Sequence, residues 1–425
     1  IHTSTFLLLV FHLIYNKRLE IVKAEDITYM KIMRLYLKFI CAWPEKLLEE
    51  KQRKYYIWQK IFIISIFFIT VPTGFLYLKR NFNVVSFTIL GHTYVTATII
   101  AFRLLLIFWK EYENLVAEFV NYIHLFNYKG HSDYAMTIHL RLHKIFRYFT
   151  IYVNLSLFIS SFLFNITPLY NNVTSGAFSN YKYGNASFEV SLYFELPFDY
   201  YHNIFWYFFM FFFNFYLSLA GGFCYCYFDF LVSLIVTHIW GHMRILINDI
   251  ETFRRPSIKV VDTNLQNDFF SEEELSYVSN DLRKIIVHHN KIIEFSDRFL
   301  KVFGPMLLLN YLFHFVSGCV LLFECSQMND AALYLSLTFI LFQQNIQISV
   351  VFELLTSVVR KNLYNLPWEC MDVGNRKKVH IMLMKSQRLL HVKAMNMVNV
   401  GVRTMVSIIK ASVTYFIMLK SFATK

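Results

Sequence analysis

Stretches of about 20 predominantly apolar residues recur along the chain near 57–78, 84–108, 146–166, 202–236, 301–323, 331–358 and 403–422. As helices, each is long enough to cross roughly 30 Å of hydrocarbon. The pattern therefore predicts an all-α membrane protein with seven transmembrane helices. The fourth run, from "IFWYFFMFFFNFYLSLAGGF" to "LVSLIVTHIW", exceeds one crossing and is expected to continue as a helix beyond the membrane. The opening "FLLLVFHLIY", Phe6 to Tyr15, is too short to span. It lacks the basic start and small-residue cleavage site of a signal peptide, and is read as a possible re-entrant helix in the 1–56 segment.

The polar intervals carry a second pattern. In "SEEELSYVSNDLRKIIVHHNKIIEFSDRFLKVFGPMLLL" a Ser cap and early Glu residues precede apolar Leu275, Val278, Leu282, Ile285, Ile286, Ile292 and Phe295. That is a helix start followed by helical spacing, and the helix should run straight into the fifth span. Within 359–402, "RKNLYNLPWECMDVGNRKKVHIMLMKSQRLLHVKAM" reads as a Pro-marked turn and a helix carrying Val379, Met382, Leu383, Leu390 and Met397. Such apolar faces need partners, either each other or other subunits. The expected organisation is an N-terminal segment 1–56, spans 1–4 in 57–236 with a loop at 167–199, a linking segment 237–300, spans 5–6 in 301–358, an anchor helix in 359–402 and a last span in 403–425.

Charge orients these elements, because Lys and Arg in short loops stay on the cytoplasmic side. Ten basic residues lie in 1–56 and eight in each of 237–300 and 359–402, whereas 167–199 holds one and 324–330 none. The N-terminus is thus expected in the cytoplasm and the C-terminus outside, inverted relative to G-protein-coupled receptors. Glycosylation acceptors at Asn172 and Asn185 fall in the expected outer loop, and Asn165 borders it. The net charge of +12 is then mainly a topology signal, not a nucleic-acid footprint. Six scattered cysteines, none in the outer loop, give no disulfide framework.

Candidate chemistry is sparse. His238 and His242 in "HIWGH" share a helical face, but Ile239 stands where a zinc protease carries Glu, and no third ligand is near. The pair reads as part of an amphipathic helix. His288 and His289 are adjacent, so their side chains point apart. No nucleophile triad, phosphate loop or paired carboxylates stand out, so neither an enzyme nor a cofactor nor a metal is expected. Acids inside the spans are scarce, Asp229 among them, which speaks against a proton-coupled carrier. The last span, "VRTMVSIIKASVTYFIMLKSF", carries Arg403, Ser407, Lys410, Thr414 and Ser421 at steps of four, three, four and seven. They form one stripe that should face water or protein, because Lys or Arg facing lipid costs about 2.5–3.5 kcal/mol. A buried bundle face and a pore wall both fit that spacing.

"LYNLPWE" (Leu363–Glu369), "RKKVHIMLMKSQRLL" (Arg376–Leu390) and "IIKASVTYFIMLK" (Ile408–Lys420) resemble the C-terminal signature of insect odorant receptors. "AWP" at Ala42–Pro44 and "ELPFDYY" at Glu195–Tyr201 are similar to the same family. Departures are Arg388-Leu389 for the usual basic-Pro pair and Val413-Thr414 before "YF". "TYFIMLKSF" also partly meets the ending of gustatory receptors, the alternative reading. The resemblance implies an odorant-gated, non-selective cation channel. In it, an odour-tuning subunit joins the common co-receptor in a heterotetramer, in the plasma membrane of olfactory-neuron dendrites. Its ligand is a volatile small molecule, and its permeating species are cations. It implies a pocket among spans 2, 3, 4 and 6, where the candidates are His92, Tyr94, Val95, Ser160, Phe164, Phe205, Phe208, Phe209, Phe212, Tyr334, Thr338 and Phe342. It implies subunit anchoring by Tyr364, Pro367, Trp368, Arg376, Lys377 and Gln387. It turns the last span into a pore wall of Ser407, Lys410, Thr414, Met418, Ser421 and Phe422, with the last three around an outer gate and Lys410 facing either the pore or a neighbouring subunit.

Overall fold

The computed structural model describes residues 23–50, 54–81, 84–180, 187–256, 269–327, 363–387, 393–394, 398–399 and 402–423. The Phe6–Tyr15 stretch, Asn185 and the sixth apolar run, with Tyr334, Thr338 and Phe342, lie outside the described residues. So do the side chains of Gln387, Ser421 and Phe422.

The described helices are α1 (Thr28–Phe39), α2 (Tyr56–Arg80), α3 (Val84–Leu105), α4 (Lys110–Glu118), α5 (Asp133–Thr174), α6 (Ile204–Glu251), α7 (Glu272–Gln327), α8 (Val373–Gln387) and α9 (Val402–Ala423). A single turn stands at Ala177–Asn180, and β1 (Lys393–Ala394) pairs antiparallel with β2 (Val398–Asn399), Lys393 opposite Asn399. By length and composition α2, α3, α5, α6 and α7 can each cross a membrane, and α9 occupies the seventh run. At 1.5 Å per residue α6 is about 70 Å long, roughly twice a bilayer's hydrocarbon. It therefore continues beyond one bilayer crossing, as the length of its apolar run predicted.

Local chemistry starts the long helices where the sequence signals lie. Ser132 Oγ accepts from Ala135 N at 3.1 Å to begin α5, and Asn203 Oδ1 accepts from Phe205 N at 2.9 Å to begin α6. Ser271 and Glu274 form a reciprocal capping box at α7, Glu274 N donating to Ser271 Oγ at 3.3 Å and Ser271 N to Glu274 Oε2 at 2.9 Å.

α6 is the axle of the bundle. Every residue from Tyr227 to Val236 is buried, as expected of a helix that is hydrophobic all round, and α1, α3, α5 and α7 pack on it. α1 lies in the N-terminal segment, after the stretch Phe6–Tyr15. It is amphipathic, with Tyr29, Met30, Ile32, Met33, Tyr36 and Leu37 buried at helical spacing. Tyr36 and Tyr227 both donate to Asn154 Oδ1, at 2.6 and 3.0 Å, locking α1 to α5 and α6. Trp43 of "AWP" is buried and donates to Glu50 Oε1 at 3.0 Å.

Deep in the bundle Arg103 (α3), Asp229 (α6) and Asn310 (α7) form one clasp. Arg103 Nη2 lies 3.2 Å from Asp229 Oδ1 and donates to Asn310 Oδ1 at 2.5 Å, and its Nη1 donates to the Tyr225 carbonyl at 2.8 Å. Asn310 Nδ2 closes the loop to Asp229 Oδ1 at 3.3 Å. A charge inside a span is tolerated only when paired in this way, so Asp229 has a structural reason to be there.

At the end away from the 187–203 loop, α8 packs beside α7, with Val379 and Met382 buried. Arg376 is bound within its own chain, Nε to Met371 O at 2.6 Å and Nη2 to Glu369 O at 2.8 Å. Tyr364 and Lys377 are exposed, and Pro367 and Trp368 half-buried.

Candidate ligand-binding site

Residues 187–203 have no regular structure, yet they close one end of the bundle because the helices supply their hydrogen bonds. Asn172 of α5 grips the Glu189 peptide from both sides, Nδ2 to O and N to Oδ1, each at 2.8 Å. Asn214 of α6 donates to Leu192 O at 3.0 Å, and Tyr94 of α3 donates to Tyr193 O. Glu195 N donates to Thr73 O of α2 at 3.1 Å. Within "ELPFDYY", Tyr200 OH spans Phe194, accepting from its N at 3.1 Å and donating to its O at 2.8 Å. Four helices thus hold one lid. Gly74 makes part of this possible, since a methyl there would overlap the Tyr94 ring.

Beneath the lid is a cavity of about 310 Å³, a size suited to a small molecule. Phe67 and Thr70 of α2, His92, Tyr94 and Ile100 of α3, and Ser160, Ser161 and Phe164 of α5 form three sides. Leu192 and Phe194 roof it, and α6 contributes Leu217, Ser218, Tyr225, Cys226 and the Gly221–Gly222 pair. The glycines leave room at the α6 wall; a Cβ on Gly221 would stand 3.1 Å from Ile100 Cδ1.

The wall is apolar with few free polar groups. Thr70 and Thr96 donate to carbonyls one turn back, at 2.8 and 2.9 Å, and Ser218 donates to Phe215 O at 3.0 Å. His92 Nε2 meets Ser317 Oγ at 3.1 Å, and Tyr225 OH meets His314 Nε2 at 3.4 Å. The hydroxyls of Ser160 and Ser161 have no partner among the described residues. Among those residues the wall holds no Asp, Glu, Lys or Arg. Such a site suits a neutral, largely apolar molecule able to take one or two hydrogen bonds.

Of the sequence candidates, His92, Tyr94, Ser160 and Phe164 stand in this wall. Val95, one residue round the helix from Tyr94, is exposed. The expectation for α6 is corrected: Phe205, Phe208, Phe209 and Phe212 are 42% to 69% exposed and point out of the bundle. The inward face runs through Tyr207, Met210, Asn214, Leu217, Gly221 and Tyr225, all buried at steps of three or four. An unbroken aromatic run hides that phase, but Asn214 and Gly221, the residues least suited to lipid, mark it. Glycosylation at Asn172 is also corrected, because its amide is buried and fully engaged with Glu189 and the Tyr207 hydroxyl. Asn165 is likewise buried, donating to Ser161 O and Ser218 Oγ, each at 2.8 Å.

α9 packs on α7 through a buried side that includes Met405 and Ser412. Arg403, Ser407, Lys410 and Thr414 are exposed, and at 100° per residue they lie on the opposite side. Ser407 and Thr414 satisfy their hydroxyls on Arg403 O and Lys410 O, at 3.0 and 2.9 Å. Met418 is half exposed.

The histidines at the far end of the bundle are packing and hydrogen-bonding groups. His242 Nε2 donates to Ile123 O at 2.7 Å; a carbonyl can only accept, so Nδ1 accepts from His288 Nε2 at 3.1 Å. His238 Nδ1 donates to Leu234 O at 2.8 Å. His124, outside the spanning helices, accepts from Phe126 N at 3.2 Å and so donates Nε2–H to Tyr29 OH at 3.0 Å. Burial, and then the neighbouring His238 and His139, hold it well below the ordinary histidine range. No metal-binding group of three His, Cys, Asp or Glu residues forms among the described residues.

The 7tm Odorant receptor family model matches residues 87–413. Odorant receptor 92a of Drosophila melanogaster is 22% identical over 252 residues, 57% of this chain and 57% of that protein, so the match spans little more than half the relative's length. The insect olfactory receptor OR5 from Machilis hrabei has the same fold, with a TM-score of 0.70 at 14% identity over 92% of this chain and 97% of that one. Its complex with eugenol gives 0.65 at 14% identity, over 92% and 96%.

Proposed function

The chain belongs to the 7tm odorant receptor family, and on that premise we propose that it is an odour-tuning subunit of a ligand-gated, non-selective cation channel. The family and fold are those of ligand-sensing receptors, not enzymes. The observation that carries the reading is the lidded cavity, about 310 Å³ in volume, without charged groups in its described wall and with the Ser160 and Ser161 hydroxyls free to meet a ligand. That chemistry fits a volatile, uncharged small molecule. The related fold of OR5 in complex with eugenol supports a small-molecule ligand here.

The exposed polar side of α9 supports the channel half of the reading. A lone subunit leaves Arg403, Ser407, Lys410 and Thr414 uncovered, and in a bilayer they need water or other subunits. A heterotetramer with the co-receptor supplies both, with α9 at the central axis and the region of α8 joining subunits. The lid end then faces outside and the α8 end the cytoplasm, in the dendritic plasma membrane. The match over 87–413 favours the odorant branch over a gustatory one.

The test is co-expression with the insect co-receptor and a screen of neutral volatiles by current recording, for the wild type and for Gly221→Val, which narrows the cavity beside Ile100. The wild type should respond to a subset of the panel, and Gly221→Val should lose the bulkier activators first at equal surface expression. An unchanged response profile would contradict the cavity assignment.

A further inference from the structure

One turn of α7, Phe313–Ser317, touches two residues of the cavity wall on one side and α9 on the other. Phe313, His314 and Ser317 fall within about 100° of one another round the helix, and Phe315 lies about 200° from Phe313. On the first side, Ser317 Oγ meets His92 Nε2 at 3.1 Å, and His314 Nε2 meets Tyr225 OH at 3.4 Å. The His92 ring stacks on Phe313, with centroids 5.7 Å apart and planes 20° apart. His92 and Tyr225 are both cavity walls. On the second side, the Phe315 carbonyl accepts from Ser412 Oγ of α9 at 3.3 Å, and the Phe315 ring meets Tyr415 edge-on at 5.8 Å.

The turn before this one is fixed. Asn310 is held by Arg103 and Asp229, and the Tyr225 ring lies 4.0 Å under the Arg103 guanidinium. α7 is therefore clamped at Asn310, while the next turn is tied to the cavity by the polar tips of two side chains that a ligand would touch. We propose that His314 and Ser317 are positioning residues that carry cavity occupancy to α9. A ligand that displaces His92 or Tyr225 shifts the Phe313–Ser317 turn about the Asn310 clamp, and α9 follows through the Phe315–Ser412 bond. The inference rests on the reading of the chain as a ligand-gated channel subunit. Such coupling is reciprocal and measurable, commonly about 5- to 150-fold between two sites.

The experiment records current from the full chain with the co-receptor, using the strongest activator found among neutral volatile phenols, alcohols, esters and ketones. Current is normalised to surface protein, so that a variant that merely folds poorly lowers both together. Ser317→Ala and Ser412→Ala should each lower the maximal current per surface subunit at least about fivefold. The double variant should be little worse than either alone, because the two act in series. Ser317→Thr, which keeps the hydroxyl, should restore most of the response, and Tyr225→Phe, which removes only the hydroxyl facing His314, should impair it without lowering surface protein. Wild-type current per surface subunit in Ser317→Ala and Tyr225→Phe, or strictly additive losses, would overturn the coupling while leaving the receptor reading intact. A wild type that reaches the surface yet answers no volatile would overturn both.

Discussion

Replacing Asp229 with alanine should strand the Arg103 guanidinium inside the bundle. The Arg103 side chain is 1% exposed, and Asp229, 3.2 Å from Nη2, is its only anionic partner among the described residues. The Tyr225 carbonyl and Asn310 Oδ1 would remain as neutral acceptors. Removing one partner of a buried pair costs about 3–5 kcal/mol, which at 1.4 kcal/mol per decade is between two and four orders of magnitude in the folding equilibrium. Replacing both partners by apolar residues of similar size is often neutral. Arg103→Met/Asp229→Leu should therefore recover much of the loss, short of about 1–3 kcal/mol for the stranded Asn310 amide. Surface labelling in cells and thermal unfolding of the detergent-solubilised chain read both effects. A wild-type midpoint in Asp229→Ala, or a double variant as unstable as the single, would show that the pair does not hold the bundle together.

The lid gives a second prediction: Asn214→Leu frees the buried Leu192 carbonyl at a cost of about 1–3 kcal/mol, so hydrogen exchange across 187–203 should rise while α5 and α6 stay protected. In an Asn185→Gln chain, peptide N-glycosidase should leave electrophoretic mobility unchanged, since Asn165 and Asn172 are buried and bonded; a shift would show that α5 opens at its lid end. Because His124 is held well below its ordinary value of 6.5, the unfolded chain takes up a proton that the folded one refuses. Its contribution is complete above pH 6.5 and declines as the pH falls below that value, so His124→Gln should flatten the acid limb of a stability–pH curve.

Much of the fold is legible in the sequence because burial in lipid demands long apolar runs, and the Ser271–Glu274 box marks the start of α7 directly. The cavity is less legible. Ten consecutive residues of α6, Ile204 to Phe213, are apolar or aromatic, so periodicity carries no phase there, and the exposed phenylalanines are indistinguishable from inward ones. Cost in lipid is the better guide: His92 and Ser160, polar at depth, stand in the cavity wall. The Asn172 sequon misleads for a related reason, since its amide is needed to hold the lid. The Arg103–Asp229 pair joins residues 126 positions apart, which no local pattern reveals. α1 escapes a search for spans because its apolar face is one side of a short helix.

On the proposed function, occupancy of the lidded cavity opens a cation path through the assembled subunits. Excised patches bearing the chain and the insect co-receptor, bathed without nucleotide, should pass non-selective cation current when an activating volatile is applied, and stop when it is washed away. Current that requires GTP, or none from any volatile with both subunits at the surface, would contradict the account.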